Sequence, residues 1–311
     1  MIGDLIYDVG LADGSDTAYY LSKNLRVVAI DANPIAVEKA REKFADAVRS
    51  KRLTILNIGI SKEPGLLPFW ICDTKPEKSS FHQSIPVREG LPHHQITVEC
   101  RPFGAVLAEF GVPRYLKMDI EANEIHCLRD LSAADLPEYI SFEKSGYEKQ
   151  QLRLLSELGY TQFKIVSQIH FLPVEFPPSS EQRRYETACK LANSRNFFVR
   201  AARKLGMRHW FDREVSRPRI RAGWSFPMGS SGPLGNETAG KWQGYSEVLD
   251  TLARAEAARE RGEPSIFWRP EESWTFWADF HARRPQVVRQ TNPEDQESCS
   301  GKLMCRSFLV C

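Results

Sequence analysis

The chain has 311 residues, of which 42% are hydrophobic and 26% charged. That is the composition of a folded globular protein and excludes a mainly disordered, collagen-like or disulfide-scaffold chain. Lys and Arg total 42 against 40 Asp and Glu, a formal net charge of +2, so no overall field points to nucleic acid. At roughly 150 residues per domain the length predicts two domains or one large α/β unit.

No run approaches 18 consecutive apolar residues, so no bilayer span is expected. The opening Met1-Ile2-Gly3-Asp4-Leu5-Ile6 has neither a basic region nor a long apolar stretch, which predicts no secretory signal peptide. Ile2 takes the place of the glycine that N-myristoylation needs. Seven cysteines (72, 100, 127, 189, 299, 305 and 311) include no Cys-x-x-Cys pair and are expected to stay reduced. The expectation is a cytoplasmic protein.

In chain order, Leu5-Ile6-Tyr7 reads as a short strand ending at Asp8 and a glycine-rich turn, followed by a helix over 17–25. Arg26-Val-Val-Ala-Ile30 is a second strand closing on Asp31. Pro34 suits a first helical turn, and apolar residues at 37, 40, 44, 45 and 48 predict one helix over 35–48. Leu53–Leu56 is a third strand, with a loop from Asn57. Strands over 66–71 and 96–100 flank a segment, 73–94, expected to be mobile. Tyr115–Met118 ends at Asp119, and Tyr139–Phe142 at Glu143. A helix over 150–158 and a strand over 161–166 follow.

Strands alternating with amphipathic helices predict a mostly parallel sheet covered on both faces. Asp8, Asp31, Asn57, Asp119 and Glu143 all close strands, and in such sheets ligands bind at the carboxyl ends. The predicted division is 1–172 for this α/β domain, 173–284 for a loop-rich accessory region with helices, and 285–311 for a polar, mobile tail. Within the second region, 190–221 holds ten Lys or Arg against two acids, and six of the seven tryptophans fall in 210–277. A charged helix with apolar residues at 248, 249, 252 and 253 is expected over 247–261.

The chemistry centres on Asp8-Val9-Gly10-Leu11-Ala12-Asp13-Gly14. Glycines let the backbone turn sharply against a ligand, and the following helix aims its amino end there. Asp31, 21 residues beyond Gly10, is placed to accept both hydroxyls of a ribose. A dinucleotide and S-adenosylmethionine compete for this pattern. The dinucleotide fingerprint wants glycine where Ala12 and Ser15 stand, and pyrophosphate disfavours the neighbouring Asp8, Asp13 and Asp16. A sulfonium and ammonium tolerate those acids, so the charges favour the methyl donor.

Three runs then carry a resemblance: Tyr7-Asp8-Val9-Gly10; Ala29-Ile30-Asp31-Ala32-Asn33-Pro34; and Tyr115-Leu116-Lys117-Met118-Asp119-Ile120-Glu121-Ala122-Asn123-Glu124. Together they resemble an FkbM-type class I methyltransferase across about residues 5–166. That family's last motif usually reads Leu-Lys-x-Asp-x-Glu-Gly-x-Glu, where Asn123 and Ala122 stand for its glycine and a variable residue, the register of that turn being open by one place. Ala12 replaces its second motif-one glycine. The resemblance implies a Rossmann-like seven-stranded sheet with a reversed last hairpin, and O-methylation with S-adenosylmethionine as cofactor. It implies that Asp8, Gly10 and Gly14 hold the methionine portion, Asp31 the ribose, and Asn57 and Ile58 the adenine. Asp119 would face the transferred methyl. The acceptor, a sugar or other small-molecule hydroxyl, does not carry over.

An alcohol acceptor must lose its proton, for which Asp119, Glu121, Glu143, His82 and His126 are candidates, Asp119 first because it closes a strand beside the cofactor. Each has a plainer reading. Asp119 and Glu121 would suit a helix cap, Glu143 a rim hydrogen bond, His126 a helix-face position beside Cys127 and Leu128. His82, His93 and His94 belong to a loop that could fold over as a lid. Asp119, Glu121, Glu124 and His126 crowd one strand-to-helix turn but cannot all face one centre, so no metal is expected. The tryptophans and Gly229-Ser230-Ser231-Gly232 read as structural loop. The basic stretch 190–221 reads as a solvated face, or as a docking surface for an anionic glycan, lipid or nucleic acid. A non-catalytic binding module and an NAD(P)-dependent oxidoreductase remain the alternatives.

Overall fold

A computed structural model describes residues 3–88, 90–194, 196–202, 204–205, 220–262 and 277–285. Its centre is a seven-stranded sheet in the order β3-β2-β1-β7-β8-β12-β9. These strands are β1 (Leu5–Val9), β2 (Arg26–Ile30), β3 (Leu53–Leu56), β7 (Tyr115–Met118), β8 (Tyr139–Glu143), β9 (Gln162–Ser167) and β12 (Ala278–Arg283). The first five in spatial order are parallel, and β12 runs antiparallel to both β8 and β9. This is the Rossmann-like sheet, reversed at its last hairpin.

The strands form because they are apolar on both faces, as a parallel sheet covered by helices requires. Alternate residues feed opposite layers. Tyr7, Val9, Val28, Ile30, Leu116 and Ile140 belong to one core. Their neighbours Ile6, Val27, Ala29, Tyr115 and Tyr139 belong to the other. On the first face pack α5 (Phe103–Phe110), α6 (Glu124–Arg129), α7 (Glu148–Glu157) and α10 (Tyr245–Glu260). On the second, α1 (Ser15–Ser22), α2 (Pro34–Lys43) and α3 (Ala45–Arg49) contribute Tyr19, Tyr20, Ala40 and Ala47.

Several expectations need correction. Asp8 does not end β1: the strand runs on through Val9, and the carboxylate is fully buried inside it. The helix predicted over 35–48 is two, α2 and α3, broken at Phe44. Asn33 caps α2 by accepting from the Ile35 amide (3.0 Å), with Pro34 at the first helical position; such a cap is worth about 1 kcal/mol. The buried stripe of α10 is Val248, Thr251, Leu252, Ala255 and Ala258; it shares Val248 and Leu252 with the apolar residues picked from the sequence, while Leu249 is half-buried and Ala253 exposed.

The central sheet also draws on residues beyond 172. β12, from the predicted accessory region, pairs with the facing edges of β8 and β9. α10, from the same region, adds Val248 and Leu252 to the core. The tail beyond 285, Trp210, Trp268 and Trp274, and half of the basic stretch lie outside the described residues.

The strands expected over 66–71 and 96–100 are β5 (Gly65–Cys72) and β6 (His93–Arg101), an antiparallel pair. With β4 (Gly59–Ile60) they make a separate three-stranded sheet. The segment between them is ordered rather than free: it holds a 3-10 turn, Pro76–Lys78, and α4 (Ser84–Arg88), and Ser80 bridges back to Trp70 through paired backbone hydrogen bonds. Cys72, Cys100 and Cys127 are buried free thiols. Among the described residues no helix is long and apolar enough to cross a membrane.

Candidate active site

A cavity of about 590 Å³ opens at the carboxyl ends of β1, β2, β7 and β8. Gly10, Asp31, Ile58, Asp119, Glu121 and Glu143 of the predicted set line it; Asp8, Gly14 and Asn57 do not. The distinction follows from local geometry.

Gly10 sits at φ +91, where a Cβ would lie 1.8 Å from the Asp119 carbonyl oxygen. No side chain fits, because the Asp119 amide reaches the Val9 carbonyl (2.9 Å) and draws the end of β7 against the turn. Gly14 starts α1 at φ +73, pressed against the Phe44 ring, so its role is packing. Ala12 adopts φ +48, which costs an alanine roughly 1–2 kcal/mol. That strained turn sends the Ala12 amide to Asp31 Oδ2 (2.9 Å). The Asn33 amide donates to Oδ1 (2.8 Å), so each carboxylate oxygen holds one amide and keeps capacity toward the cavity. Desolvation raises the Asp31 carboxyl above its ordinary value, and the two amides oppose that rise. Asn57 lies behind, donating to the Asp31 and Ala32 carbonyls.

The three acids that flank the turn in sequence have separate fates. Asp8 accepts from Thr17 Oγ1 (2.6 Å) and pairs with the buried Lys117 at 3.0 Å. Burial works against the Lys117 charge, but Asp8, Asp119 and Asp16 outweigh it and hold the ammonium above its usual range; its Nζ also donates to the Gly10 carbonyl (2.6 Å). Asp13 spends its carboxylate on the Ser15 amide and hydroxyl. Asp16 lines the cavity with Oδ1 buried and without a hydrogen-bond partner. Burial pushes its carboxyl up to about 7, with Lys117 opposing.

The turn after β7 resolves the register of the last motif. Ala122 takes φ +77, a backbone suited to glycine, so it occupies the family's glycine position and Asn123 the variable one. Asn123 is buried and donates to the Ile60 carbonyl (3.0 Å). Glu124 turns inward, accepting from the Ile120 and Ala122 amides and from Gln151; burial lifts its carboxyl to about 7. It braces the turn that presents Asp119 and Glu121. Because Glu124 faces the interior, the four metal-ligand candidates of this span do not converge. His126, half-buried on α6, and His82, exposed, are absent from the cavity wall.

At one end of the cavity Asp119, Glu121 and Glu143 gather. Burial, then the charges of Asp119 and Glu121, raise the Glu143 carboxyl well above its ordinary range, and its side chain lies within hydrogen-bonding reach of Asp119. The Trp277 indole donates to the other side of Glu143. Lys78 Nζ meets Glu121 at 2.7 Å, both side chains largely buried. Burial opposes its charge, but Glu143, Glu121 and Asp119 prevail and raise it. The opposite wall is apolar: Ile58, Ile60, Phe69 and Phe81, with the last two rings edge-on at 4.9 Å.

A sequence profile of the methyltransferase FkbM domain matches residues 8–172, more than half of the chain. The chain belongs to the FkbM methyltransferase family. No curated protein matches the sequence. Among solved structures it is similar to the methyltransferase FkbM of Methylobacillus flagellatus KT, at 16% identity and a TM-score of 0.35; the match covers 50% of this chain and spans 37% of that one. It is also similar to the O-methyltransferase of a trans-AT polyketide synthase from Brevibacillus brevis, in complex with S-adenosyl-L-homocysteine (9% identity, TM-score 0.33, 90% of this chain and 66% of that one). A third is phosphoethanolamine N-methyltransferase 2 of Haemonchus contortus with S-adenosyl-L-methionine (10%, TM-score 0.32, 91% and 49%).

Three parts of the FkbM-family cavity were not singled out from sequence as site residues: Lys78, Trp277 and the strap Pro227–Ser230. Lys78 sits in the segment expected to be mobile. Gly229 and Ser230 were read as plain loop, yet Ser230 and Ser231 are buried, and the Ser231 amide donates to Asp16 Oδ2 (3.0 Å). Further along, Glu237 accepts from the Tyr19 hydroxyl and pairs with Lys23. The strap is thus tied across α1. The one signal in sequence was its density of glycine, and Gly229 indeed stands at φ +92.

Proposed function

We propose that this chain is an S-adenosylmethionine-dependent O-methyltransferase acting on a hydroxyl of a sugar or other small molecule. The observation that supports it is the polarity of one cavity: a ribose-type carboxylate, Asp31, between an apolar wall and an acid-rich end. The residues present fit the cofactor. Asp31 keeps acceptor capacity on both oxygens, Asp16 Oδ1 is buried, unpartnered and on the cavity wall, and the acids suit a sulfonium and an ammonium. Ile58 and Phe81 offer an adenine slot. When bound, the cofactor supplies an electrophilic methyl group.

The residues of the chain then align and exclude water, which is most of what such a displacement requires. Asp119 is the base in this reading. Glu143, beside Asp119, and Glu121, locked to Lys78, fix the geometry around it.

Pyrophosphate finds no comparable cradle, since the Ala12 amide is committed to Asp31, the Gly10 and Leu11 amides to the Ile30 carbonyl, and the neighbours of the turn are acids. Isothermal titration with S-adenosylmethionine, S-adenosylhomocysteine and NAD tests the cofactor. Heat with the adenosyl compounds and none with NAD is the expected result; the reverse returns the oxidoreductase reading. Transfer of labelled methyl onto a glycan and metabolite library separates an enzyme from a binding module.

A further inference from the structure

We infer, resting on the methyl-transfer reading above, that Lys78, Glu121, Glu143 and Trp277 form an acceptor subsite that admits an uncharged hydroxyl compound and excludes acceptors bearing phosphate or carboxylate. Trp277 is the platform. It is half-buried on the cavity wall, with Gly229 so close that a Cβ there would come within 2.8 Å of the ring. Lys78 Nζ lies 5.8 Å from the ring centroid, and the indole N–H is fixed on Glu143. A flat ring bounded by polar groups suits a sugar or other ring that carries hydroxyls.

The charges decide the class. Lys78, the buried cation at this end, is engaged by Glu121 and faces Glu143 and Asp119. Lys117 is committed to Asp8 and the Gly10 carbonyl. The other lining cations, Lys39 and Lys75, are exposed, and Lys75 has the exposed acid Glu77 two residues away. An anionic acceptor would have to shed water beside carboxylates with no uncommitted buried cation among the described lining residues to meet it. Asp119, at the same end of the cavity, adds a chemical argument. Methylating a hydroxyl forms an oxygen–carbon bond, breaks the carbon–sulfur bond and releases a proton, which passes to Asp119. A carboxylate or phosphate acceptor arrives without that proton and needs no such base.

Lys78 enters from the turn between β5 and β6, and Trp277 from the residue before β12, so neither belongs to the elements that hold Asp31. Two experiments test the subsite. In the first, methyl-tritiated S-adenosylmethionine is incubated with the protein and a small-molecule extract of its source cells, the unreacted cofactor is removed on a cation exchanger and measured against a protein-free control, and the remaining labelled product is passed over a strong anion exchanger. Label in the unretained fraction is expected; label retained as an anion overturns the inference. Titration with S-adenosylhomocysteine accompanies it, because absent binding there defeats the cofactor reading instead. The second needs no acceptor. With S-adenosylhomocysteine bound, fluorescence lost in Trp277→Phe isolates that indole, and caesium should quench it about twofold or more better than iodide at equal ionic strength. Equal or stronger iodide quenching overturns the inference. Glu121→Gln, which keeps the tryptophan, should raise iodide quenching by freeing the Lys78 charge; no rise counts equally against it.

Discussion

Asp31→Asn probes the cofactor assignment most directly. In the folded chain Oδ1 and Oδ2 each hold one backbone amide, at 2.8 and 2.9 Å. An asparagine preserves one of these bonds and turns its NH₂ toward the other amide, so one bond is lost and two donors face each other. That should cost about 1–3 kcal/mol of stability. On the cavity side the substitution removes the charge and one acceptor from the ribose, a loss of about 1.5–3 kcal/mol, or about 10- to 100-fold in affinity. Calorimetry with S-adenosylhomocysteine reads this, with a urea melt confirming that the variant is folded at the working temperature. Methylthioadenosine, which keeps the ribose and lacks the amino acid, should lose affinity by the same factor. If a folded Asp31→Asn binds both within about twofold of the parent, allowing for the precision of such titrations, Asp31 does not hold the ribose.

Asp119→Asn should lower turnover by about 100-fold or more while leaving S-adenosylhomocysteine affinity unchanged; equal losses in both would make Asp119 a binding residue. Asp16 gains negative charge as pH rises through its value of about 7, so affinity for cationic S-adenosylmethionine relative to neutral S-adenosylhomocysteine should increase from pH 6 to pH 8, and Asp16→Asn should flatten that ratio. The same shift acts on stability with the opposite sense. The folded state holds a proton that the unfolded state releases near pH 4, so the Asp16 contribution to stability declines between about pH 4 and pH 7, and urea midpoints for the parent and Asp16→Asn should diverge over that interval. Gly229→Ala places a methyl group against Trp277 from a φ of +92; it should cost about 1–3 kcal/mol in a urea melt and shift tryptophan emission.

The sheet was legible because its strands are short, apolar and closed by polar residues, a pattern that local sequence states outright. The seventh strand was not. Ala278-Asp-Phe-His-Ala-Arg283 alternates in a way that suits an edge or a surface, yet Asp279 and His281 are both buried. Asp279 is accommodated by Gln168 (2.6 Å), and burial, then Lys164, drives His281 down to about 3, which keeps it neutral. A polar residue such as Asp279, made tolerable by a partner more than 100 positions away, carries no local signal. Gly10, Asp31 and Asp119 were found for the opposite reason, since each sits on a turn whose backbone demands are written in adjacent residues. Asp8 shows the limit of that approach. Its type and position suit a rim ligand, and only the buried Lys117 opposite it reveals an internal ion pair.

The same contrast separates the two ends of the cavity. Strand ends in a parallel sheet are held by hydrogen bonds to their neighbours, so a ligand-facing group one residue past a strand is positioned by the sheet itself. That is how Asp31 and Asp119 are fixed, and it explains why a family can preserve the cofactor half in a short motif. Lys78, Gly229 and Trp277 have no such support. They are brought in by an insertion between β5 and β6 and by a strap and strand from beyond residue 172, and they are held by one another: Lys78 on Glu121, the indole on Glu143, the glycine under the ring, Ser231 on Asp16. A group of contacts that hold one another can be exchanged together without disturbing the sheet. Acceptor choice in this chain therefore resides in the segments that the strand-and-turn pattern does not encode, and changing it requires altering the insertion and the strap as a set rather than the rim.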